Sequence, residues 1–339
     1  MIKLEIIEQF QQELDYLNNQ KHSSIMISTT AKHALSFRVL PRRSILNTAM
    51  SCFMINDAKL LKKALLFFDG LVDYIYIDIE QKQDLNLFEI ARSIVKKSNL
   101  TTVKPNDNTL ESCDMLIRNH LKDDLLNKDI AVVGTGNLAS KLATRLTERQ
   151  ANVYIMGRTN EKEKTVTEAL NLFLPKHTSE VKPFEEIQSK KKVDIIVSFL
   201  SGQMSKEDRL LSLIDEDTFV IDGGINNFSS SFIQRMLSAN VKVTRLDTRI
   251  ALPYQMLLEH DYTQSFFNEV FGHATINDVL VAAGGYIGGE GTVVVDNLKQ
   301  PNQVIGIADG SGGVKANEQL SEADRNSIRK IEKAISTSS

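Results

Sequence analysis

Cysteine is scarce in this chain of 339 residues: Cys52 and Cys113 are the only two, and they lie far apart. Neither CxxC nor metal-ligand spacing is present, which excludes a disulfide scaffold and leaves two reduced thiols in a cytoplasmic protein as the expectation. Charge of one sign is also lacking. Forty Lys+Arg face 43 Asp+Glu, for a formal net charge of -3. A nucleic-acid binder usually carries a basic excess, so no nucleic-acid partner is expected. No segment has ~18 consecutive apolar residues, so no membrane span is expected. Met1 to Phe10 lacks the basic start and unbroken apolar run of a secretion signal. No repeat, no low-complexity tract and no Cys/His/Asp group at metal-ligand spacing is evident, so no metal is expected. What remains, at 42% hydrophobic and 24% charged, is an ordinary globular composition. At ~150 residues per domain the length corresponds to roughly two domains.

The first part of the chain mixes helix and strand. Ile7, Phe10, Leu14 and Leu17 recur at helical spacing. Residues 24–30 read as a strand, 45–53 as a helix, and 59–68 as a helix stopped by Asp69-Gly70. The alternation in 72–79 predicts a strand, 85–97 a helix and 101–104 a short extended stretch. Pro105-Asn106-Asp107 breaks the chain before a helix over 109–121 that bridges two domains. Strands at 130–133, 152–156, 193–199, 219–221 and 241–246 then alternate with helices, the last strand having one before it. Such alternation implies a parallel sheet covered on both faces. Residues 255–270 read as one helix, and 283–291 (AGGYIGGEG) as a glycine-rich stretch. Residues 292–297 and 303–308 read as two strands joined near Pro301-Asn302. Ser321 and Asp324 cap a last helix with an apolar stripe at Ile328, Ile331 and Ile335. The run Lys190-Lys191-Lys192 reads as a solvated loop.

The most specific motif is AVVGTGNLA at 131–139, where Gly134, Gly136 and Ala139 form G-x-G-x-x-A between a strand and a helix. The first glycine allows the tight turn, the second lets backbone approach a pyrophosphate, and the small third residue lets helix and strand pack closely. Free N–H groups along Thr135, Asn137 and Leu138, with the helix dipole, would hold the anion. The next strand ends Met156-Gly157-Arg158-Thr159. An NAD enzyme commonly places Asp or Glu there for the ribose 2′-OH. Here Arg158 offers a planar cation for a 2′-phosphate and for adenine stacking, Thr159 adds a hydroxyl, and Lys162 or Lys164 adds charge. NADP is therefore expected rather than NAD.

GTGNLA followed by GRT resembles the NADP domain of the shikimate/quinate dehydrogenases, as does VDIIVSFLSGQM at 193–204. VIDGGIN at 220–226 is similar to a segment of the methylenetetrahydrofolate dehydrogenases. The resemblance covers about residues 126–247 and implies an α/β fold with a Rossmann-type parallel sheet. It also implies an N-terminal catalytic domain over 1–110, an NADP domain over 111–250, and helices and a hairpin over 251–339 that return to the first domain. Lys32-His33-Ala34-Leu35-Ser36 resembles the family's substrate loop, which makes Ser36 a substrate-binding candidate. Lys82 lies where the family carries its catalytic lysine, without the preceding proline. Asn106-Asp107-Asn108-Thr109 lies where the family reads N-T-D, and strict alignment leaves Leu110 at the catalytic Asp. The folate family's Y-x-x-x-K motif is not evident.

Hydride transfer from a carbinol needs a group to exchange the hydroxyl proton. Lys82 oriented by Asp107 is the expected pair, with Lys104 as the rival lysine. Ser201, Gly202, Gly224 and Asn226 follow sheet strands, where ligands of open α/β sheets bind. Gly224 is expected to admit the nicotinamide ring and Asn226 to bond its carboxamide. Met256 and Gln264, in a segment resembling the family's closing helix, are further substrate-binding candidates. His260 and His273 read as surface or packing residues. The expectation is an NADP-dependent oxidoreductase of a small polar substrate, acting at a carbinol or a carbon–nitrogen bond. The alternatives are a folate-type one-carbon enzyme and a non-catalytic NADP-binding module. The strands after residue 291 would extend a sheet, cap the cleft or form a homodimer.

Overall fold

The N-terminal helix α1 (Ile2–Leu17) buries Phe10, Leu14 and Leu17, the stripe its spacing predicts. Phe10 is the centre of an aromatic cluster, its ring 5.5–5.6 Å from Phe37, Phe53, Phe67 and Phe68. The computed structural model describes residues 2–30, 36–189, 192–258 and 261–338. Two compact units result, Met1–Gln255 and Met256–Ser339.

The first unit begins with β1 (His22–Ser28), β2 (Phe37–Ile45), β3 (Thr48–Ile55), α2 (Ala58–Phe68), β4 (Tyr74–Asp78), α3 (Leu87–Ile94) and β5 (Asn99–Val103). These strands form one sheet in the order β2-β3-β1-β4-β5. All neighbours are parallel except the edge strand β2, which is antiparallel to β3. The helix expected over 45–53 is therefore a hairpin turn and a strand. Ala49, Met50 and Cys52 suit a helix locally, but β3 is flanked by β2 and β1 and buries nearly every side chain. A central strand with both faces covered shows no alternation to read.

Pro105 does break the chain, but as the first residue of α4 (Pro105–Leu121). Its missing N–H costs nothing there and its fixed φ suits the first turn. Asn106–Thr109 is thus helix rather than loop. Next come β6 (Asp129–Val133), α5 (Asn137–Glu148), β7 (Asn152–Met156), α6 (Asn160–Asn171), β8 (Lys182–Pro183), β9 (Ile195–Ser198), α7 (Asp208–Leu211), β10 (Phe219–Asp222), α8 (Ser230–Ser238) and β11 (Lys242–Arg245). They build a parallel sheet in the order β8-β7-β6-β9-β10-β11. Numbered from β6, that order is 3-2-1-4-5-6, the Rossmann arrangement. Alternate residues feed opposite layers. Ile130, Val132, Ile195 and Val197 pack with α4 and α5, and Ala131, Val133, Ile196 and Val220 pack on the other face. The bridging helix is pinned by Asp114, fully buried and held by Arg149 through two bonds of 2.8 Å.

The unit boundary falls within α9 (Leu252–Leu257). The single helix expected over 255–270 is instead α9, α10 (Asp261–Ser265) and a π-turn at Phe266–Val270. The second unit then forms four strands, β12 (Gly272–Ile276), β13 (Val279–Ala283), β14 (Val293–Val295) and β15 (Val304–Ile307), in that order. The pair expected near 292–308 is present as antiparallel β14 and β15. The hairpin before it was not expected, and Asn277-Asp278 closes it with both residues at positive φ. The helix α11 (Glu322–Ser338) covers this sheet through Ile328, Ile331 and Ile335.

Candidate functional site

The turn after β6 is built around two glycines with different duties. Gly134 adopts φ +135°, and a Cβ there would stand 2.5 Å from the Phe199 carbonyl oxygen and 3.2 Å from Ala139 Cβ. Ala139 is fully buried, so its small size sets the helix-to-strand distance. Gly136 is the N-cap of α5; among the described residues no side chain caps it, and nothing lies within 4 Å of its Cβ position. Gly136 and Asn137 are exposed there, with a helix N-terminus behind them. This is a cradle that a side chain would fill and that an anion fits.

The neighbouring wall is the loop after β9, fixed by Asn227. Its buried side chain accepts hydrogen bonds from Ser198 Oγ and Leu200 N and donates to the carbonyls of Leu200 and Gly202, all at 2.9–3.0 Å. Its N–H donates to Asp222. Gly223 and Gly224 are glycines because of this packing. A Cβ on Gly223 would enter the Phe199 ring, and one on Gly224 would come within 2.6 Å of the Leu200 carbonyl oxygen. Packing alone thus requires a glycine at 224, because the space a side chain would take is filled by protein. Ile225 and Asn226 follow at φ +62° and +59°, both exposed at the strand end. A β-branched residue in that region is strained.

A cavity of about 170 Å³ opens beside this loop, lined by Gly157 and Arg158 from the end of β7 and by Ser201, Gly202, Met204 and Lys206 from the loop after β9. Thr159 caps α6 by accepting from Lys162 N at 3.2 Å. Lys164 is engaged 2.9 Å from Glu185. The lysine that does reach the cavity is Lys206, whose Nζ donates to the Arg158 carbonyl at 3.0 Å. An acid stands nearby after all. Glu163, six residues past Gly157, folds back so that Oε1 accepts Gly157 N at 2.9 Å. It is fully buried, and Oε2 has no hydrogen-bond partner among the described residues. No strand-end pattern announces either residue, because a helix and a distant loop supply them.

A second group of charges marks the first sheet. The chain leaves β1 toward β3 on one side and β4 on the other, so the crevice between β1 and β4 is that sheet's switch point. Asp78, at the end of β4, is buried there and accepts from Thr29 N at 3.3 Å and Glu80 N at 2.8 Å. Lys82 Nζ lies 2.9 Å from both Asp78 and Glu80. Glu80 in turn accepts Asn106 N at the start of α4. Asp107 is not brought to Lys82. It bonds Lys104 at 2.5 Å and Lys141 of α5 at 3.3 Å. The correction follows from Pro105, which starts the helix early and puts Asp107 in its first turn, facing α5. Burial pushes the Asp107 carboxyl up, but the two lysine hydrogen bonds outweigh it and hold the group below the ordinary carboxylate value. The same bond raises Lys104. Lys141 sits about one helical turn beyond the start of α5, so its contact with Asp107 ties that helix to the first turn of α4.

Ser36 is exposed at the start of β2 and its carbonyl accepts Asn56 N at 2.9 Å; Lys32 to Leu35 lie outside the described residues, as does His260. Met256 and Gln264 belong to the second unit. Met256 is buried, and the Gln264 amide donates to the Leu258 carbonyl at 2.9 Å. His273 is on β12 beside Tyr286, ring centroids 5.0 Å apart. Among the described residues no three His, Cys, Asp or Glu side chains are grouped to hold a metal, and no helix is long and apolar enough to cross a membrane.

The shikimate / quinate 5-dehydrogenase family profile matches residues 116–210, which bears out the resemblance read from the sequence over that segment. No curated protein matches the chain. Among solved structures, a shikimate dehydrogenase in complex with NADP+ is 15% identical, with 70% of this chain and 90% of that one covered and a TM-score of 0.42. Dipicolinate synthase A chain from Bacillus subtilis is 17% identical, over 76% of this chain and 81% of that one, with a TM-score of 0.38. A shikimate 5-dehydrogenase from Listeria monocytogenes in complex with shikimate and NAD is 12% identical, over 73% and 96%, with a TM-score of 0.40.

Proposed function

We propose that this chain is an NADP-dependent oxidoreductase that moves a hydride to or from a small polar substrate at a carbinol or carbon–nitrogen bond. The observation that carries the reading is the contact between Lys141 and Asp107, which joins a dinucleotide cradle to a lysine–carboxylate cluster. NADP supplies the hydride acceptor or donor when bound. Gly136 and the uncapped start of α5 would take the pyrophosphate, Arg158 and Thr159 the 2′-phosphate end, and Ser201, Gly202 and Asn226 the wall beyond. Lys82 would exchange the substrate proton at Nζ. Buried Asp78 orients that amine, while Glu80 ties it to the first turn of α4. Lys104 and Asp107, both about half exposed, would bind polar groups of the substrate.

The test is a turnover screen with NADP or NADPH against hydroxy-cyclohexene carboxylates, cyclic imines and reduced folates, with Lys82→Met alongside the wild type. General acid–base groups contribute typically ~10²–10⁴-fold, so kcat of Lys82→Met should fall by about that factor. NADPH affinity should not change. A variant with full turnover would remove Lys82 from the chemistry, and a wild type that binds no dinucleotide would overturn the whole reading.

A further inference from the structure

Resting on the NADP reading above, we infer that Lys206 is a specificity-determining residue that supplies a second positive charge to the 2′-phosphate. Three observations converge on it. The loop after β9 crosses the carboxyl end of β6 and reaches the end of β7, so that Lys206 and Arg158 line one cavity. The amine is held against the Arg158 backbone by the 3.0 Å bond to its carbonyl. An ammonium has three donors, and that bond uses one of them. Finally, neither Lys206 nor Arg158 forms an ion pair among the described residues. The adjacent Glu207 is turned onto the backbone and hydroxyl of Ser229, both at 2.5 Å. Lys164, on α6, is instead engaged by Glu185.

Two cations that form no ion pair among the described residues line this cavity, and in a chain of net charge -3 they would form a local anion site. The ribose of a dinucleotide whose pyrophosphate lies on α5 falls at the end of β7. A phosphate on its 2′-oxygen would meet the planar Arg158 guanidinium from one side and the Lys206 amine from the other. The unphosphorylated ribose offers nothing for the amine to neutralise. Lys206 therefore separates the two cofactors, whereas Arg158, which can also stack on adenine, contributes to both.

Calorimetric titration of the full chain with 2′,5′-ADP and with 5′-AMP tests this, using wild type, Lys206→Ala and Lys206→Gln. Wild type should bind 2′,5′-ADP more tightly than 5′-AMP. Lys206→Ala should lose about tenfold in 2′,5′-ADP affinity and stay within twofold for 5′-AMP. Glutamine can still bond the Arg158 carbonyl without charge, so Lys206→Gln should lose as much as alanine. A wild type with no preference would overturn both the NADP reading and the role of Lys206. A wild-type preference that survives Lys206→Ala overturns only the role of Lys206. Recovery of wild-type affinity by Lys206→Gln would show a loop latch instead of a charge, and would also overturn it.

Discussion

Gly134 and Gly136 are both invisible as side chains, yet they should fail differently when given one. Alanine at 134 needs φ +135° and brings its Cβ to 2.5 Å from the Phe199 carbonyl oxygen. That strain should cost about 1–3 kcal/mol and lower the melting temperature. Alanine at 136 meets no protein atom within 4 Å, so the fold should keep its melting temperature while NADPH affinity falls at least tenfold. Thermal unfolding beside an NADPH fluorescence titration separates the two, and equal behaviour of both variants would sink the cradle. The cysteines make a simpler case. Burial raises Cys52 to about 12 and raises Cys113 as well, so neither should react with a thiol reagent at pH 8 until the protein is unfolded. At this scale the sequence was readable where the rule is local. G-x-G-x-x-A and Arg158 could be found because each is a local pattern, the motif between a strand and a helix and the arginine at the end of the next strand. Lys206 and Glu163 could not, because their positions depend on how the loop after β9 and the first turn of α6 fold back to Gly157. Gly224 is singled out in sequence as cofactor-facing although packing alone requires it, since a glycine packed against protein and one that faces a cofactor look alike in sequence.

Helices were legible where one face stays exposed, and most buried strands through their alternation with helices. The half-exposed helices α1, α2 and α11 carry their stripes plainly, whereas β3, covered on both faces, has no alternation and was read as a helix. Asn277-Asp278 is the signal that would have revealed the β12–β13 hairpin, a two-residue turn between apolar runs. Between elements the decisive side chain is Asn227, which fixes the loop after β9 to the turn after β10. Asn227→Ala leaves two carbonyls, an N–H and a hydroxyl without their partner. The loss should be about 3 kcal/mol in chemical denaturation, with faster amide exchange in residues 200–204. An unchanged midpoint would mean that the loop is held by other means. Helix α11 tests electrostatics in the second unit. Ser321 and Asp324 cap it reciprocally, Asp324 Oδ2 accepting Ser321 N at 2.9 Å and Ser321 Oγ accepting Asp324 N at 3.1 Å. Those bonds to Ser321 and the ammonium of Lys315 hold Asp324 below its ordinary 3.8. A depressed folded value means that the carboxylate stabilises the fold above the ordinary value and ceases to do so as pH falls through the lower one. Asp324→Asn should therefore lower the urea midpoint near neutral pH and flatten its decline on acidification. A variant whose midpoint falls as steeply with acid as the wild type's would assign that decline to other carboxylates.

For the whole molecule, length anticipates about two domains, but each core shows where the division lies. Both sheets of the first unit, with the dinucleotide cradle and the lysine–carboxylate cluster, are built from Met1–Gln255. The second unit closes a core of its own around Val281, Val293, Ile307 and Ile331. Near-zero net charge also acquires a local meaning. Many acids and bases pair with each other, whereas Arg158 and Lys206 line one cavity without an ion pair among the described residues. A ligand that binds the native state alone stabilises it by about 2.7 kcal/mol at a concentration a hundredfold above its Kd. All residues assigned to NADP lie in the first unit, so this free energy should appear in that unit's unfolding. Scanning calorimetry with saturating NADP should raise one transition by several degrees and leave the transition of residues 256–339 in place. If both transitions rise by the same amount, the two units unfold as one, and the cofactor acts on a core larger than the one that holds its cradle.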